Sequence, residues 1–146
     1  MNINLFRLSK DSNRNIDIIF IDDDTKEIAG HCNYYVTYNI GYIYDTYLFP
    51  EYRNKKILKS HINTILHDIK QSGAEKVLLS TLNDEAIVIW EKLGFKKINK
   101  NNMEMNIKDK AFEHNNTSKF ENRGDYKNIE ELSKLYDYLE NDLWEI

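Results

Sequence analysis

Along the first third of the chain, apolar residues fall in short β-branched and aromatic runs, and a helical period takes over only after Pro50. Ile3–Leu8 is compatible with a first strand, and Ser9–Asn15 reads as a polar link. Ile16–Ile21 is dense and β-branched. The Asp22-Asp23-Asp24-Thr25 turn behind it predicts a hairpin with a long strand at Glu27–Tyr38. Gly41–Phe49, rich in tyrosine, is the next strand, and Pro50 ends its register.

Arg53 to Leu58 predicts the first turns of a helix that continues to Ile69. Ile57, Leu58, His61, Ile62, Ile65, Leu66 and Ile69 share one face of it, while Lys55, Lys59, Asn63, Asp68 and Lys70 take the other. A helix with one apolar face lies on a sheet, and Gly73 stands where a left-handed cap residue ends it. Lys76–Leu82 has a near-continuous apolar centre, the pattern of a strand covered on both faces. Because it follows a helical crossover, parallel pairing with the strand ending at Phe49 is expected.

Asn83 or Asp84 caps a second helix, in which Ala86, Ile87, Trp90 and Leu93 share a face and Gly94 is the stop. Phe95–Ile98 and Met103–Ile107 are two further strands, so from Ile16 onward the order is three strands, helix, strand, helix and two strands. Residues 109–127 are polar and read as a linker or loop. Residues 128–146 open on a capping-box pattern, Asn128-Ile129-Glu130-Glu131. They carry the apolar stripe Ile129, Leu132, Leu135, Tyr136, Leu139 and Leu143, which must be buried on the chain's own domain or on a partner protomer.

A length of 146 residues suits one such domain and an added helix. The balance of 20 basic and 24 acidic side chains gives a net charge of -4 with no long basic block, so no nucleic-acid partner is expected. A single cysteine, Cys32, excludes an intramolecular disulfide and a multi-cysteine zinc site. His31, His61, His67 and His114 show no metal-ligand spacing, so no metal is expected. The first residues lack a signal-peptide pattern, and no apolar run approaches the ~20 residues of a membrane span. A cytoplasmic protein without membrane contact is the expectation.

One combination of residues carries a family likeness. The run Leu48-Phe49-Pro50-Glu51-Tyr52-Arg53 is followed by Ile57 and a helix to Gly73. Val77–Leu82 comes next, and then Asn83-Asp84-Glu85-Ala86-Ile87-Val88-Ile89-Trp90-Glu91-Lys92-Leu93-Gly94-Phe95. Together, over roughly Asp17 to Ile107, they resemble the GNAT family of acyl-CoA-dependent N-acetyltransferases. The resemblance implies an α/β (α+β) fold, a mixed sheet splayed between its fourth and fifth strands and flanked by helices, with residues 1–108 as the acyl-CoA-binding domain and an extra C-terminal helix. Acetyl-CoA would lie in the splay as cosubstrate. Its pyrophosphate would rest on Arg53, Asn54, Lys55, Lys56, Ile57 and Leu58, and its pantetheine arm would run beside Leu48 and Phe49. Asn83 would line the cofactor near the next helix, and Trp90 would face the thioester.

The chain departs from the family pattern in three ways. The turn Arg53-Asn54-Lys55-Lys56-Ile57-Leu58 has no glycine where relatives have several, so side chains stand close to the phosphate position. Trp90 occupies the place of a common tyrosine, leaving proton return to water or to Tyr47 or Tyr44. Only about fifteen residues precede Asp17, where relatives place a strand and two helices that wall the acceptor pocket. The C-terminal helix would then rebuild that wall, in its own protomer or across a homodimer.

The expected reaction is attack of a primary amine, on a small molecule or a protein, on the thioester carbonyl. A catalytically degenerate binding protein of the same fold is the alternative. Asp45 is a candidate general base, or else an exposed strand residue; His31 reads as structural, and Cys32, its neighbour in the strand, faces the opposite side. Alternation puts Tyr42, Tyr44 and Thr46 on one face and Ile43, Asp45 and Tyr47 on the other, without deciding which faces the acceptor.

Overall fold

A computed structural model describes residues 2–10 and 15–112. The connector from 113 onward and the expected helix at 128–146 lie outside the described residues. Four antiparallel strands come first: β1 (Ile3–Lys10), β2 (Asn15–Asp22), β3 (Glu27–Thr37) and β4 (Ile40–Leu48). Helix α1 (Ile57–Gln71) carries the chain to β5 (Lys76–Ser80), and α2 (Asp84–Lys92) carries it to the short β6 (Lys96–Lys97) and to β7 (Asn102–Asn106). The seven strands form one mixed sheet in the order β1-β2-β3-β4-β5-β7-β6, with β4 and β5 parallel as expected. β1 pairs directly with β2, without the two helices that the family pattern places between them.

Both crossovers run toward the same edge of the sheet, so two right-handed connections set α1 and α2 on one face. There Ile62, Ile65, Leu66 and Ile69 of α1 and Ala86, Ile87 and Trp90 of α2 close a single core with Ile18, Phe20, Tyr34, Ile43, Val77 and Leu79 of the sheet. Phe112 also packs against it. Gly41 lets α1 approach, since a Cβ at that position would lie 2.5 Å from Ile69 Cγ2. A second, smaller cluster, Phe6, Leu8, Ile19 and Ile21 with Ile28 against it, lies on the opposite face.

Three expectations change. β5 is not covered on both faces: Val77 and Leu79 are buried but Leu78 is half-exposed, because no described helix covers its side of the sheet. α1 begins at Ile57 and not at Arg53, because Asn54 (φ 59°) and Lys56 (φ 60°) are left-handed and cannot continue a right-handed helix. Asp68, assigned to the solvated face, is partly buried. Its carboxylate accepts from Arg7 Nε at 2.9 Å and from the Tyr34 hydroxyl, joining β1, β3 and α1. Burial foremost, with the Asp68 charge added, raises the Tyr34 pKa. No helix among the described residues is long and apolar enough to cross a membrane.

His61, on the buried face of α1, stacks at 6.3 Å on Phe20, and burial lowers its pKa. A folded pKa below the unfolded value means that stability is complete above about pH 6.5, where both states are neutral. As pH falls below that, the unfolded chain takes the proton first and stability declines until the folded pKa is reached. His61→Leu should flatten this decline in urea midpoints measured from pH 7.5 to 5; an unaltered slope would remove His61 as its source.

Candidate active site

β4 and β5 are paired over only four residues, from Ile40↔Lys76 to Ile43↔Leu79. Beyond that β4 continues to Leu48 while β5 ends at Ser80, so the sheet opens. The opening starts at a bulge. The β3 register runs Asn33↔Asp45 and then Tyr34↔Ile43, which leaves Tyr44 as the extra residue. The bulge overturns the simple alternation expected along β4. Thr46, not Asp45, follows Ile43 onto the helix side, where its Oγ1 donates to Cys32 Sγ at 3.5 Å. Tyr42, Asp45 and Tyr47 share the opposite face with His31 and Asn33. Burial pushes the Cys32 thiol up to about 12, so it is not a nucleophile near neutral pH.

After Leu48 the chain makes a short 3-10 turn at Pro50–Tyr52. The buried Tyr52 hydroxyl donates to Asp22 Oδ2 at 2.9 Å, tying this turn to the β2–β3 connection. Burial would raise the Asp22 pKa, but hydrogen bonds from Tyr52 and from the Asp24 backbone N–H outweigh it and leave that pKa lowered. Arg53 Nε donates to the Leu48 carbonyl at 2.9 Å, and its guanidinium lies 5.5 Å from the Tyr47 ring centre. The left-handed Asn54 and Lys56 follow, and α1 starts with no side-chain cap. The first intrahelical donor is Ser60 N, 3.0 Å from Lys56 O, so the N–H groups of Ile57, Leu58 and Lys59 have no acceptor within the helix.

Around this helix start lies a cleft of about 730 Å³, lined by Leu48, Tyr52, the run Arg53 to Lys59, Asn83 and one side of α2 at Glu85, Ile89 and Lys92. It gathers Leu48, Arg53, Asn54, Lys55, Lys56, Ile57, Leu58 and Asn83, while Phe49 and Trp90 stand outside its lining. Phe49 packs on the core and meets Tyr47 edge-on at 5.3 Å. The side chains of Asn54, Lys55 and Lys56 are exposed, so they do not fill the opening. Asn83 caps α2, its side-chain oxygen accepting from Glu85 N at 2.9 Å and Ala86 N at 3.3 Å.

A throat of about 10 Å³, lined by Ile43, Tyr44, Asp45, Thr46, Leu79, Ser80 and Trp90, sits in the fork of the strands. It brings Asp45 and Trp90 together. Trp90 is buried and meets Phe95 edge-on at 5.3 Å. Tyr47 is not in the throat but stacks on His31 at 6.1 Å, and His31 Nδ1 is 4.0 Å from Asp45 Oδ2. A groove of about 470 Å³ adjoins the throat and shares Ile43, Tyr44, Leu79 and Ser80 with it. Tyr42 and Tyr44 were candidates for the acceptor side from the sequence, but their meeting with Tyr35 and Leu78 in one groove was not legible there, because it depends on sheet pairing. Glu85, Ile89 and Lys92 were not expected at the cleft; their helical spacing, which puts them on one face of α2, is the signal that could have found them. Among the described residues, no group of three or more His, Cys, Asp or Glu side chains could hold a metal ion.

A mixed sheet that forks between its fourth and fifth strands beside an uncapped helix start is the architecture of GNAT proteins. The chain belongs to the acetyltransferase (GNAT) family, whose model matches residues 4–95. Solved structures of the same fold include the PaiA N-acetyltransferase of Thermoplasma acidophilum in complex with coenzyme A, 22% identical, with a TM-score of 0.57 over 64% of this chain and 61% of that one. A GNAT-family acetyltransferase of Staphylococcus aureus Mu50 is 16% identical, with a TM-score of 0.57 over 64% of this chain and 68% of that one. An acetyltransferase of Bacillus cereus ATCC 14579 is 14% identical, with the same TM-score of 0.57 over 63% and 72%. At these identities the likeness is one of fold. No curated protein matches the chain.

Proposed function

We propose that the chain is an N-acetyltransferase that moves an acetyl group from acetyl-CoA to a primary amine of a small molecule or protein by direct attack. The observation that carries this reading is the meeting, at the open end of β4, of the strand fork with the uncapped, left-handed entry to α1. The cofactor fits the residues present. Left-handed backbone at Asn54 and Lys56 reproduces, without glycine, the turn that aims main-chain donors outward, and the cleft stays open beside it.

In this reading the N–H groups of Ile57, Leu58 and Lys59 hold the diphosphate, and Lys55 and Lys56 add positive charge. Leu48 and Asn83 flank the arm that leads inward. Acetyl-CoA supplies an activated acyl carbon and a thiol leaving group. Asp45 binds the incoming ammonium at the throat and takes its proton. The amine nitrogen then forms a C–N bond to the acyl carbon as the C–S bond breaks; the acylated nitrogen gives up its second proton to water, and the proton held on Asp45 passes through water to the departing sulfur. Trp90, an N–H donor only, walls the throat. Tyr47, stacked on His31, supports the side of the strand from which Asp45 projects. A free, buried Cys32 accords with a reducing, cytoplasmic setting.

A second reading, a protein that binds the cofactor without turnover, is favoured by the throat of about 10 Å³, too narrow for reactants to meet unless the fork widens. Calorimetric titration with acetyl-CoA, then an amine panel with thiol detection, separates the two. Micromolar binding with thiol release establishes the transferase, and binding without release on any amine establishes the binder. No binding at millimolar cofactor overturns both.

A further inference from the structure

We infer that the acceptor is a monoamine carried on a flat apolar body, such as an arylalkylamine, and not a polyamine or a lysine side chain in a polar peptide. This rests on the transferase reading. Its ground is the chemistry of the groove beside the throat. Tyr35 and Tyr42 form a cross-strand pair on β3 and β4, stacked at 5.0 Å with an interplanar angle of 17°, and Tyr44 tilts against Tyr35 at 5.7 Å. Leu78 continues the row across β5 by pairing with Tyr42, and Ile98 stands on the rim, 51% exposed.

Among the described residues lining the groove none is charged; the polar ones are Ser80, Asn99 and Asn102. A second or third ammonium group would therefore meet only neutral oxygens and ring faces here, with no carboxylate to offset its lost hydration. Asp45 lies at the inner end, in the adjoining throat, where one terminal ammonium would reach it while an apolar body covered the tyrosines. The chain's net charge of -4 would by itself favour polycations, but local lining, not total charge, decides what fits a groove.

The test compares 2-phenylethylamine, spermidine and a lysine-containing polar peptide, by thiol release with acetyl-CoA and by calorimetric binding to the CoA-loaded protein. The expected result is a kcat/KM for 2-phenylethylamine at least about tenfold above the others, and a KM raised about tenfold in Tyr42→Ser with kcat little changed. Ile98→Asp, at an exposed rim position that cannot disturb the core, should weaken the arylalkylamine in the same direction. Preference for spermidine or the peptide overturns the substrate class and leaves the transferase reading standing. Binding of 2-phenylethylamine that depends on Tyr42 and Ile98, without turnover of any amine, upholds the groove and overturns the transferase reading. Neither binding nor turnover of 2-phenylethylamine overturns the substrate class, and the transferase reading is then decided by acetyl-CoA binding and the wider amine panel.

A different observation concerns the opposite end of that face. Phe6, Leu8, Ile19 and Ile21 are buried there although both described helices lie on the other side of the sheet. The geometry points to residues 128–146 of the same chain as their cover, through the stripe Ile129, Leu132, Leu135, Tyr136, Leu139 and Leu143. The described chain ends at Phe112, and residues 113–127 can reach about 50 Å when extended, enough to round the sheet edge. A helix over 128–146 would be about 28 Å long, close to the roughly 26 Å of an eight-residue strand.

In the full chain, Leu135→Asp with Leu139→Asp should speed amide hydrogen exchange in β1 and β2 and lower the melting temperature, independently of protein concentration. Unchanged exchange in those strands would overturn the assignment. Protection that rises with concentration would assign the cover to a second copy instead.

Discussion

Replacing Gly30 by alanine is expected to lower the melting temperature by roughly 10 °C, the equivalent of about 3 kcal/mol. A Cβ on Gly30 would stand 2.1 Å from the Tyr47 carbonyl oxygen and 3.0 Å from Leu48 Cα. Both are main-chain atoms of the paired strand, so no side-chain rotation relieves the clash and β3 and β4 must part. They would part at Leu48, where Arg53 and Phe49 are anchored, the latter through its N–H to the Ala29 carbonyl at 2.9 Å. Acetyl-CoA binding should fall along with stability. Gly41→Ala is the comparison: its nearest obstacle is the buried Ile69 side chain at 2.5 Å, so α1 must shift, and the cost should be about 1–2 kcal/mol, less than for a clash with paired main chain. Thermal melts of the two variants decide the matter. A Gly30→Ala protein as stable as the Gly41→Ala one would mean that β3 and β4 are not held this tightly.

Reversing both charges at the turn, Lys55→Glu with Lys56→Glu, should weaken acetyl-CoA binding about 30-fold at low salt, from ~2 kcal/mol of lost attraction and added repulsion. Both side chains are exposed, so folding stability should move by less than about 0.5 kcal/mol, and added salt should shrink the difference in affinity. Lys56→Gly makes the complementary point. It relieves a left-handed lysine by up to about 1 kcal/mol while leaving the main-chain donors in place, so affinity should change only a few-fold. Calorimetry reads both. Full affinity in the double reversal would move the diphosphate away from α1.

The glycine-free turn shows where sequence reasoning reached its limit. The absence of glycine suggested a crowded phosphate site, yet Asn54 and Lys56 adopt the left-handed backbone that glycine would have taken, and their side chains stay in solvent. Nothing in the local sequence of Lys56 marks that conformation; it is imposed where Tyr52, fixed to Asp22, and Ile57, fixed in the core, leave only a few residues to turn the chain. The second helix, by contrast, was plain in the sequence. Asn83, the acidic first turn and Gly94 are local signals, and the structure uses each in place.

Strand and helix order, the parallel step from β4 to β5, and the family itself were determined by the sequence alone, because period, caps and turn residues act over a few neighbours. The tertiary structure decided the rest. The bulge at Tyr44 that re-aims Asp45, the pairing of Arg7 with an aspartate on α1, and the meeting of Tyr35, Tyr42 and Leu78 on one groove all join residues from separate strands or helices. Such contacts depend on register, and register is set by how whole faces pack together, so no window of neighbouring residues contains it.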